Sequence, residues 1–321
     1  MRTVEMREPG GAEVLETGSR AVPEPGPSQV LIRVVAAGVN GPDLVQRRGH
    51  YPPPAGASDL LGLEVSGEVV AVGDAVERWR VGDAVCALAN GGGYAEYASV
   101  EAGHCLAVPD GVDPVDAAGL PETFFTVWSN CFLDRPAPEG VLFLVHGGAG
   151  GIGSTATQLG AALGARVFTT CAADDLGFCR DNGAERAIDY ASEDYVGIVR
   201  EAGGADLVLD TVGGDYIARN VKAASPDARL VQLAFNRGSK VEIDLMPIML
   251  KRLVYTGSTL RSRPDAFKAA VARDLERAVW PLIGAGTVGT RTHAVLPLAE
   301  ARRAHELMES GGHRGKILLA P

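Results

Sequence analysis

Cysteine and long apolar runs are both scarce in this sequence. The five cysteines are odd in number and contain no C-x-x-C pair, which argues against a disulfide framework and a thiolate zinc cluster. No stretch approaches the roughly 18 apolar residues that a membrane helix needs, and the start, Met1–Glu5, has no apolar run behind its arginine. These absences predict a protein of the reducing cytoplasm without a membrane partner.

Positive charge is also in deficit. The chain has 30 lysines and arginines against 40 acidic residues, a net charge of −10 at pH 7. No broad basic surface is left to neutralise phosphates, so nucleic acid is not an expected partner. What is present is typical of a globular protein, with 46% hydrophobic and 22% charged residues. At 321 residues the chain is long for one core, and two lobes are expected.

Two kinds of local pattern divide the chain. Up to about residue 118, proline and glycine separate short β segments at 30–35, 67–72, 83–87 and 93–97, which is typical of a partly open barrel or sandwich. From about residue 140, helical stretches alternate with apolar strands at 141–145, 166–170, 205–209 and 229–233. That alternation predicts βαβ units and a parallel sheet buried on both faces.

A glycine-rich turn is the strongest single motif. The G-x-G-x-x-G pattern directly follows the strand 141–145 and directly precedes a helix of small residues; its members are Gly148, Gly150, Gly151, Ile152 and Gly153. Glycines there permit a tight turn, and the helix N-terminus supplies backbone N–H groups and positive potential to a pyrophosphate. In this strand–helix setting the motif predicts dinucleotide binding.

The choice between NAD and NADP is less clear from the residues. An NAD site places Asp or Glu at the end of the second strand, where this chain has Thr170 and Cys171. Asp174 and Asp175 come slightly later, and they also fit the start of the next helix, where acidic residues favour the helix dipole. Both readings of these two carboxylates stay open.

Several ordered motifs resemble the quinone oxidoreductases, the zeta-crystallin branch of the medium-chain dehydrogenases/reductases. They are GVNGPDL at 38–44, RRGHYPPP at 47–54, LGLEVSG at 61–67, GGGYAEY at 91–97, HGGAGGIG at 146–153, DTVGG at 210–214 and TLRSR at 259–263. The resemblance runs from about residue 10 to Lys316. It implies an α/β protein with a GroES-like β-barrel catalytic domain, residues 1–120 and 262–321, and a Rossmann NAD(P)-binding domain with a doubly wound parallel sheet, residues 121–261.

The resemblance raises the question of zinc, because the superfamily includes zinc alcohol dehydrogenases. Zinc members would have a cysteine where this chain has Asn40 and a histidine where it has Leu63, while Glu64 is retained. The four-cysteine structural loop expected after Val85 is missing. Zinc needs three or four N, S or O ligands, so no metal is expected.

The resemblance also implies a substrate pocket formed by Asn40, Asp43 and Tyr51, with Thr126 beside the nicotinamide. Without a metal, hydrogen-bond donors must stabilise the oxygen that gains charge, and Tyr51 is the best candidate for that donation. Each residue has an alternative role. Tyr51 could pack on the loop 52–54, Asn40 could be a turn residue, and Asp43 could cap a short helix.

The remaining predicted cofactor contacts come from the same resemblance. Family members hold the 2′-phosphate of NADPH with a tyrosine, here Tyr190, and with a Ser/Thr and a lysine, for which this chain has Ala172 and Asp175. NADPH is expected, with NAD possible. Further expected contacts are Thr170, Val212, Phe235, Arg261 and Lys316; the last two could equally be solvated surface charges.

The function expected from the resemblance is NADPH-dependent reduction of a quinone or a similar activated carbonyl. Two alternatives remain: reduction of an activated C=C bond, as in enoyl reductases, and a cofactor-binding structural or regulatory protein. A small-molecule quinone or enone is the expected partner. A homodimer is expected through the edge strand Val254–Ser258 of the Rossmann sheet.

Overall fold

The computed structural model describes residues 1–135 and 138–321, which form two compact units. The first, here called the discontinuous unit, consists of Met1–Phe125 and Leu260–Pro321, and the second, the central unit, of Thr126–Thr259. The domain limits expected from the sequence, 120/121 and 261/262, differ from these by a few residues.

Strands dominate the discontinuous unit, and they are numbered here along the whole chain. The strands before the central unit are β1 (Arg2–Met6), β2 (Leu15–Ser19), β3 (Gln29–Val39), β4 (Glu64–Val72), β5 (Ala84–Leu88), β6 (Tyr97–Glu101) and β7 (Cys105–Ala107). The central unit contributes β8 (Leu142–His146), β9 (Arg166–Cys171), β10 (Arg186–Asp189), β11 (Ala205–Asp210), β12 (Ala224–Gln232) and β13 (Val254–Gly257). The chain closes with β14 (Thr292–Pro297) and β15 (Lys316–Ala320).

Most helices are short and lie between these strands. They are α1 (Gly41–Arg47), α2 (Pro114–Ala117), α3 (Pro121–Val127), α4 (Gly151–Ala162), α5 (Leu176–Asp181), α6 (Tyr195–Glu201), α7 (Tyr216–Ala223), α8 (Met246–Lys251), α9 (Asp265–Ala278), α10 (Trp280–Gly284) and α11 (Ala301–Ser310). A π-helical segment, Trp128–Phe132, continues α3. Over the residues that the structure describes, no helix combines the length and the apolar character needed to cross a membrane.

The main sheet of the discontinuous unit joins the two ends of the chain. Its strand order is β14-β15-β3-β4-β5-β7, with β6 also paired to β3. Strand β15 runs antiparallel to β3 and pairs Leu318 with Gly38, which brings Lys316 to the end of β3 beside Asn40. The core below this sheet is aliphatic, with Val30, Ile32 and Val65 fully buried.

The central unit is a parallel sheet with the strand order β10-β9-β8-β11-β12-β13. This is the doubly wound order. Strands β9 and β10 are added on one side of β8, and β11, β12 and β13 are then added on its other side. All five residues of β8 are buried, as expected for a strand covered on both faces. The predicted doubly wound fold is confirmed.

One predicted strand is only partly formed. The segment 93–97 was expected to be a strand, but the structure begins β6 at Tyr97 and pairs it with β3. Gly91 and Gly92 have φ angles of 134° and 88°, so the chain turns sharply just before this segment. Residues 94–96 nevertheless pair briefly with β1, through an isolated antiparallel bridge between Ala95 and Thr3 and a hydrogen bond from the Val4 N–H to the Tyr94 carbonyl.

Candidate active site

A buried ionic network occupies the end of β3 in the discontinuous unit. The Lys316 ammonium lies 2.6 Å from Glu64 Oε1 and donates to Asn40 Oδ1 at 2.5 Å. Asn40 Nδ2 also donates to Glu64 Oε1, at 2.9 Å, and the backbone N–H of Glu122 donates to Glu64 Oε2 at 2.8 Å. All three side chains of the network are buried. Their charges and polar atoms therefore satisfy one another out of water.

Asp43, expected to line the substrate pocket, accepts hydrogen bonds from two backbone N–H groups. Its Oδ2 accepts from the N–H of Asn40 at 2.9 Å, and its Oδ1 accepts from the N–H of Gly62 at 3.0 Å. Asp43 is the third residue of α1 and Asn40 its N-cap, so this geometry is the helix-capping alternative considered for Asp43. Burial raises the pKa of this carboxyl from 3.8 to about 6, against the lowering effect of the two N–H donors.

Tyr51 and Arg261 lie together in the same unit. The Arg261 guanidinium carbon is 5.5 Å from the centroid of the Tyr51 ring, a cation–π distance. Arg261 is buried, and it donates to Gln46 Oε1 at 2.7 Å and to the Asn90 carbonyl. Partial burial raises the pKa of Tyr51 above its ordinary value of 10, so its hydroxyl stays protonated at neutral pH. Tyr51 can therefore donate a hydrogen bond.

The zinc-ligand positions carry no ligand set. Asn40 is bonded to Lys316 and Glu64, and Leu63 is a buried apolar residue. No group of three or more His, Cys, Asp or Glu residues in 1–135 and 138–321 is arranged to hold a metal ion. The Lys316 ammonium already supplies the positive charge beside Glu64.

The glycine-rich turn of the central unit has the shape that a dinucleotide requires. A Cβ on Gly148 would lie 2.1 Å from Thr169 Oγ1, and a Cβ on Gly153 would lie 2.1 Å from the Gly147 carbonyl oxygen. At Gly150 the nearest atom, the same carbonyl oxygen, is 3.7 Å away, an ordinary contact. The protein itself therefore requires glycine at 148 and 153, whereas at 150 the motif leaves room for a close ligand. The turn fits a pyrophosphate at the N-terminus of α4.

The other predicted cofactor residues lie at the carboxyl ends of the central strands or just beyond them. Thr170 is the penultimate residue of β9, and its hydroxyl is bonded to His146 Nδ1 at 2.9 Å. Tyr190 follows β10 with its side chain about half exposed, and its N–H donates to the Cys171 carbonyl at 3.1 Å. Val212 and Phe235 follow β11 and β12. Their contacts with a cofactor remain predictions.

Two predicted residues have environments that the sequence did not suggest. Thr126 is nearly buried, and its carbonyl oxygen accepts from Asn130 Nδ2 at 2.9 Å. Lys316, expected at the cofactor, has its ammonium bonded within the discontinuous unit. The Glu64–Lys316 pair was missed, although each charged residue sits directly beside an apolar run, LGLEV and KILL. A single charge in such a run is a signal of a buried, paired group.

Two family models match parts of this chain, and known proteins match nearly its whole length. Residues 26–110 match the family described as alcohol dehydrogenase GroES-like domain, and residues 182–319 match the one described as zinc-binding dehydrogenase. A quinone oxidoreductase of Pseudomonas aeruginosa is 33% identical, with 97% of each chain covered, and one of Rattus norvegicus is 30% identical, covering 99% of this chain and 97% of the relative.

Solved structures agree with these matches. The Escherichia coli quinone oxidoreductase complexed with NADPH superimposes with a TM-score of 0.87 at 26% identity, with both chains fully covered. A 2-haloacrylate reductase gives a TM-score of 0.84 at 26% identity, covering 100% of this chain and 99% of that one.

The GroES-like unit and the doubly wound sheet with its glycine turn define a medium-chain dehydrogenase/reductase, an oxidoreductase that uses a nicotinamide cofactor. Within that superfamily the chain belongs to the zinc-free, quinone oxidoreductase-like family.

Proposed function

We propose that the protein is an NADPH-dependent quinone oxidoreductase that reduces a quinone or a similar activated carbonyl without a metal. The glycine turn, with its space at Gly150, carries this proposal, in a chain that matches quinone oxidoreductases from end to end. A bound nicotinamide would supply the hydride. The turn 147–153 would hold the pyrophosphate, and Tyr190 would contact the 2′-phosphate.

The chain must then stabilise the negative charge that develops on the acceptor oxygen. Tyr51 is suited to this, because its raised pKa keeps the phenol protonated and the adjacent Arg261 cation supports negative charge nearby. Asn40 is a weaker candidate for direct contact, since its amide is already bonded to Glu64 and Lys316. We assign Asn40 and Asp43 to shaping the pocket and Tyr51 to donation.

A second candidate is the reduction of an activated C=C bond. The similarity to a 2-haloacrylate reductase favours it, because a haloacrylate is an activated alkene. Both reactions deliver a hydride and then a proton, so the fold does not distinguish them.

An acceptor panel separates the candidates. Steady-state rates of NADPH oxidation would be measured with 1,4-benzoquinone, 1,2-naphthoquinone and a crotonyl thioester, each against an enzyme-free background. Quinone turnover well above background is expected. Turnover of the thioester alone would favour the alkene reductase, and tight NADPH binding with no turnover of any acceptor would favour a structural or regulatory protein.

We also propose that two copies of the chain pair through β13. Among the described residues β13 pairs with β12 alone, which leaves its other edge open, and an open edge strand readily pairs with a second copy. The edge continues into a cluster of exposed apolar side chains, here called the edge patch: Leu245, Met246, Met249, Leu250, Val254 and Tyr255. Exposed apolar clusters of this kind mark interaction sites.

A cytoplasmic location is proposed on the state of the cysteines. All five are buried free thiols. Thiols remain unpaired in reducing compartments, whereas secreted domains tend to use them in disulfides.

A further inference from the structure

A buried polar network adjoins the glycine-rich turn of the central unit. His146, the last residue of β8, lies with Nδ1 2.9 Å from the Thr170 hydroxyl and Nε2 2.7 Å from Asn220 Oδ1. Asn220, on α7, donates from Nδ2 to Asp210 Oδ2 at 2.9 Å. All four residues are buried, and the bonds link the carboxyl ends of β8, β9 and β11.

Each end of this network reaches the backbone of a loop. The carbonyl of Thr170 accepts from both N–H groups of Gly147–Gly148, at 3.0 Å each. Asp210 Oδ1 accepts from the N–H groups of Val212–Gly213, at 2.6 and 2.9 Å. These two loops follow β8 and β11, the adjacent strands between which the sheet order reverses, and ligands of such sheets bind in the crevice at that point. The network therefore fixes the spacing of the loops on the two sides of the crevice.

One arrangement of protons satisfies every bond. The Asp210 carboxylate only accepts, so the Asn220 amide nitrogen faces it and Oδ1 faces His146 and the Tyr195 hydroxyl, 3.0 Å away. Nε2 of His146 must then carry the proton, and Nδ1 accepts from Thr170. Burial lowers the pKa of His146, which keeps this neutral tautomer at physiological pH.

Packing holds the imidazole in this orientation. The rings of Tyr195 and Tyr216 lie 4.9 and 4.8 Å from the His146 ring, at interplanar angles of 69° and 84°. The imidazole therefore has aromatic neighbours as well as its two hydrogen bonds, and a rotation would break both bonds. The network is preorganised rather than adaptable.

We propose that His146 and Asn220 are positioning residues for the nicotinamide cofactor, holding the turn after β8 and the loop after β11 at the spacing that the cofactor diphosphate needs. This rests on the proposed cofactor site. Since the network acts on the part that NADPH and NADH share, it should affect both cofactors equally, unlike a residue that contacts the 2′-phosphate.

The main test is direct titration of NADPH and NADH by fluorescence on the full chain, which needs no acceptor; kcat is measured separately with 1,4-benzoquinone at saturating cofactor. His146→Phe keeps the ring volume and removes both hydrogen bonds, and Asn220→Leu removes the link to Asp210. The matched control is Ser225→Ala, which removes a bond of 2.6 Å from Ser225 on β12 to Asp206, at the opposite end of β11 from Asp210.

Both network variants should raise the Kd of NADPH and of NADH by about tenfold, with kcat at saturating cofactor changed far less. Ser225→Ala should leave both Kd values unchanged. Hydrogen exchange should quicken at the amides of 147–148 and 212–213 and not along β12. If Asn220→Leu does not fold, the Kd values of His146→Phe alone decide whether the network positions the cofactor.

Two other outcomes would each have a different meaning. Wild-type Kd values in a folded His146→Phe protein would overturn the positioning role while leaving the proposed function intact. Failure of the wild-type chain to bind either cofactor would overturn the proposed function itself, and the positioning role with it.

Discussion

The Lys316 ammonium lies 2.6 Å from the Glu64 carboxylate, with both side chains buried. The two residues are far apart in the sequence and meet because β15 and β4 both pair with β3. Together with Asn40 they fill the part of the unit where the zinc-dependent relatives are expected to carry metal ligands. The positive charge beside Glu64 is thus supplied by the Lys316 side chain.

Replacing Lys316 by methionine should strongly destabilise the fold. The change leaves the Glu64 carboxylate buried without its cation, which typically costs about 3–5 kcal/mol. Urea unfolding checks this, with Lys240→Met at an exposed lysine as the control. The double variant Glu64→Gln, Lys316→Met should recover part of the loss, since no charge is left unpaired. A Lys316→Met protein as stable as the control would contradict the burial of this pair.

Stability should depend on pH through Asp43. Its pKa in the folded protein, about 6, is above the ordinary 3.8, so folding favours the protonated form. Protonated Asp43 contributes on the order of 3 kcal/mol to the free energy of unfolding. This contribution is fully present below pH 4 and is lost as the pH rises through 6. Lys316 favours the charged form, whereas Glu64 and the burial of the site oppose it.

The measurement is the free energy of unfolding of the wild type and of Asp43→Asn between pH 4 and 8. The free energy of unfolding of the wild type minus that of Asp43→Asn should fall as the pH rises from 4 to 7 and then stay constant. Glu242→Gln, at an exposed carboxylate, should follow the wild-type curve. Parallel curves for Asp43→Asn and the wild type would refute the raised pKa.

Much of the fold was predictable because it is local in the sequence. The strands around the glycine turn have apolar patterns that indicate βαβ units directly, and the doubly wound parallel sheet followed from the family resemblance. The partly formed strand at 93–97 shows the limit of such patterns. Ala95 forms a single bridge with Thr3 and β6 begins only at Tyr97, because strand pairing depends on distant parts of the chain.

The candidate site was less predictable for the same reason. Asn40 and Asp43 were recognised as important, yet their partners Lys316 and Gly62 are set by strand pairing and by a turn. The sequence allowed two roles for Asp43, in the substrate pocket or as the cap of a short helix. It could not decide between them. Lys316 was expected at the cofactor from the family resemblance, and its pairing with Glu64 could not be read from its own position in the sequence.

If the chain dimerises through the edge patch, a charged residue introduced there should prevent dimerisation. Met249→Glu places a carboxylate in the middle of the apolar surface, where its burial on pairing would be unfavourable. Light scattering after gel filtration should give the mass of two chains for the wild type and of one for Met249→Glu. Val81→Glu, at an equally exposed apolar residue outside the patch, should remain dimeric. A monomeric wild type would rule out the proposed pairing.

Tyr190 should discriminate between the two cofactors. Its hydroxyl is proposed to bond the 2′-phosphate, so Tyr190→Phe should raise the Kd of NADPH by about tenfold and leave that of NADH unchanged. NADH serves as the internal control, because it lacks the phosphate. Tighter binding of NADH than of NADPH by the wild type would instead implicate Asp174 or Asp175 as the reader of a ribose hydroxyl.

The glycine turn allows the most direct test of a nicotinamide cofactor at the N-terminus of α4. Gly150 has a φ of −73° and no close neighbour in the protein, so Gly150→Ala should fold normally, yet its methyl group would occupy the approach of the pyrophosphate. Gly177→Ala, in α5 with open space around it, is the matched control.

Fluorescence titration with NADPH, alongside thermal melting, compares the two variants with the wild type. The expected result is a Tm no lower than that of the wild type for both proteins, wild-type Kd for Gly177→Ala, and a Kd raised by about tenfold or more for Gly150→Ala. A folded Gly150→Ala protein that binds NADPH as tightly as the wild type would contradict the cofactor site.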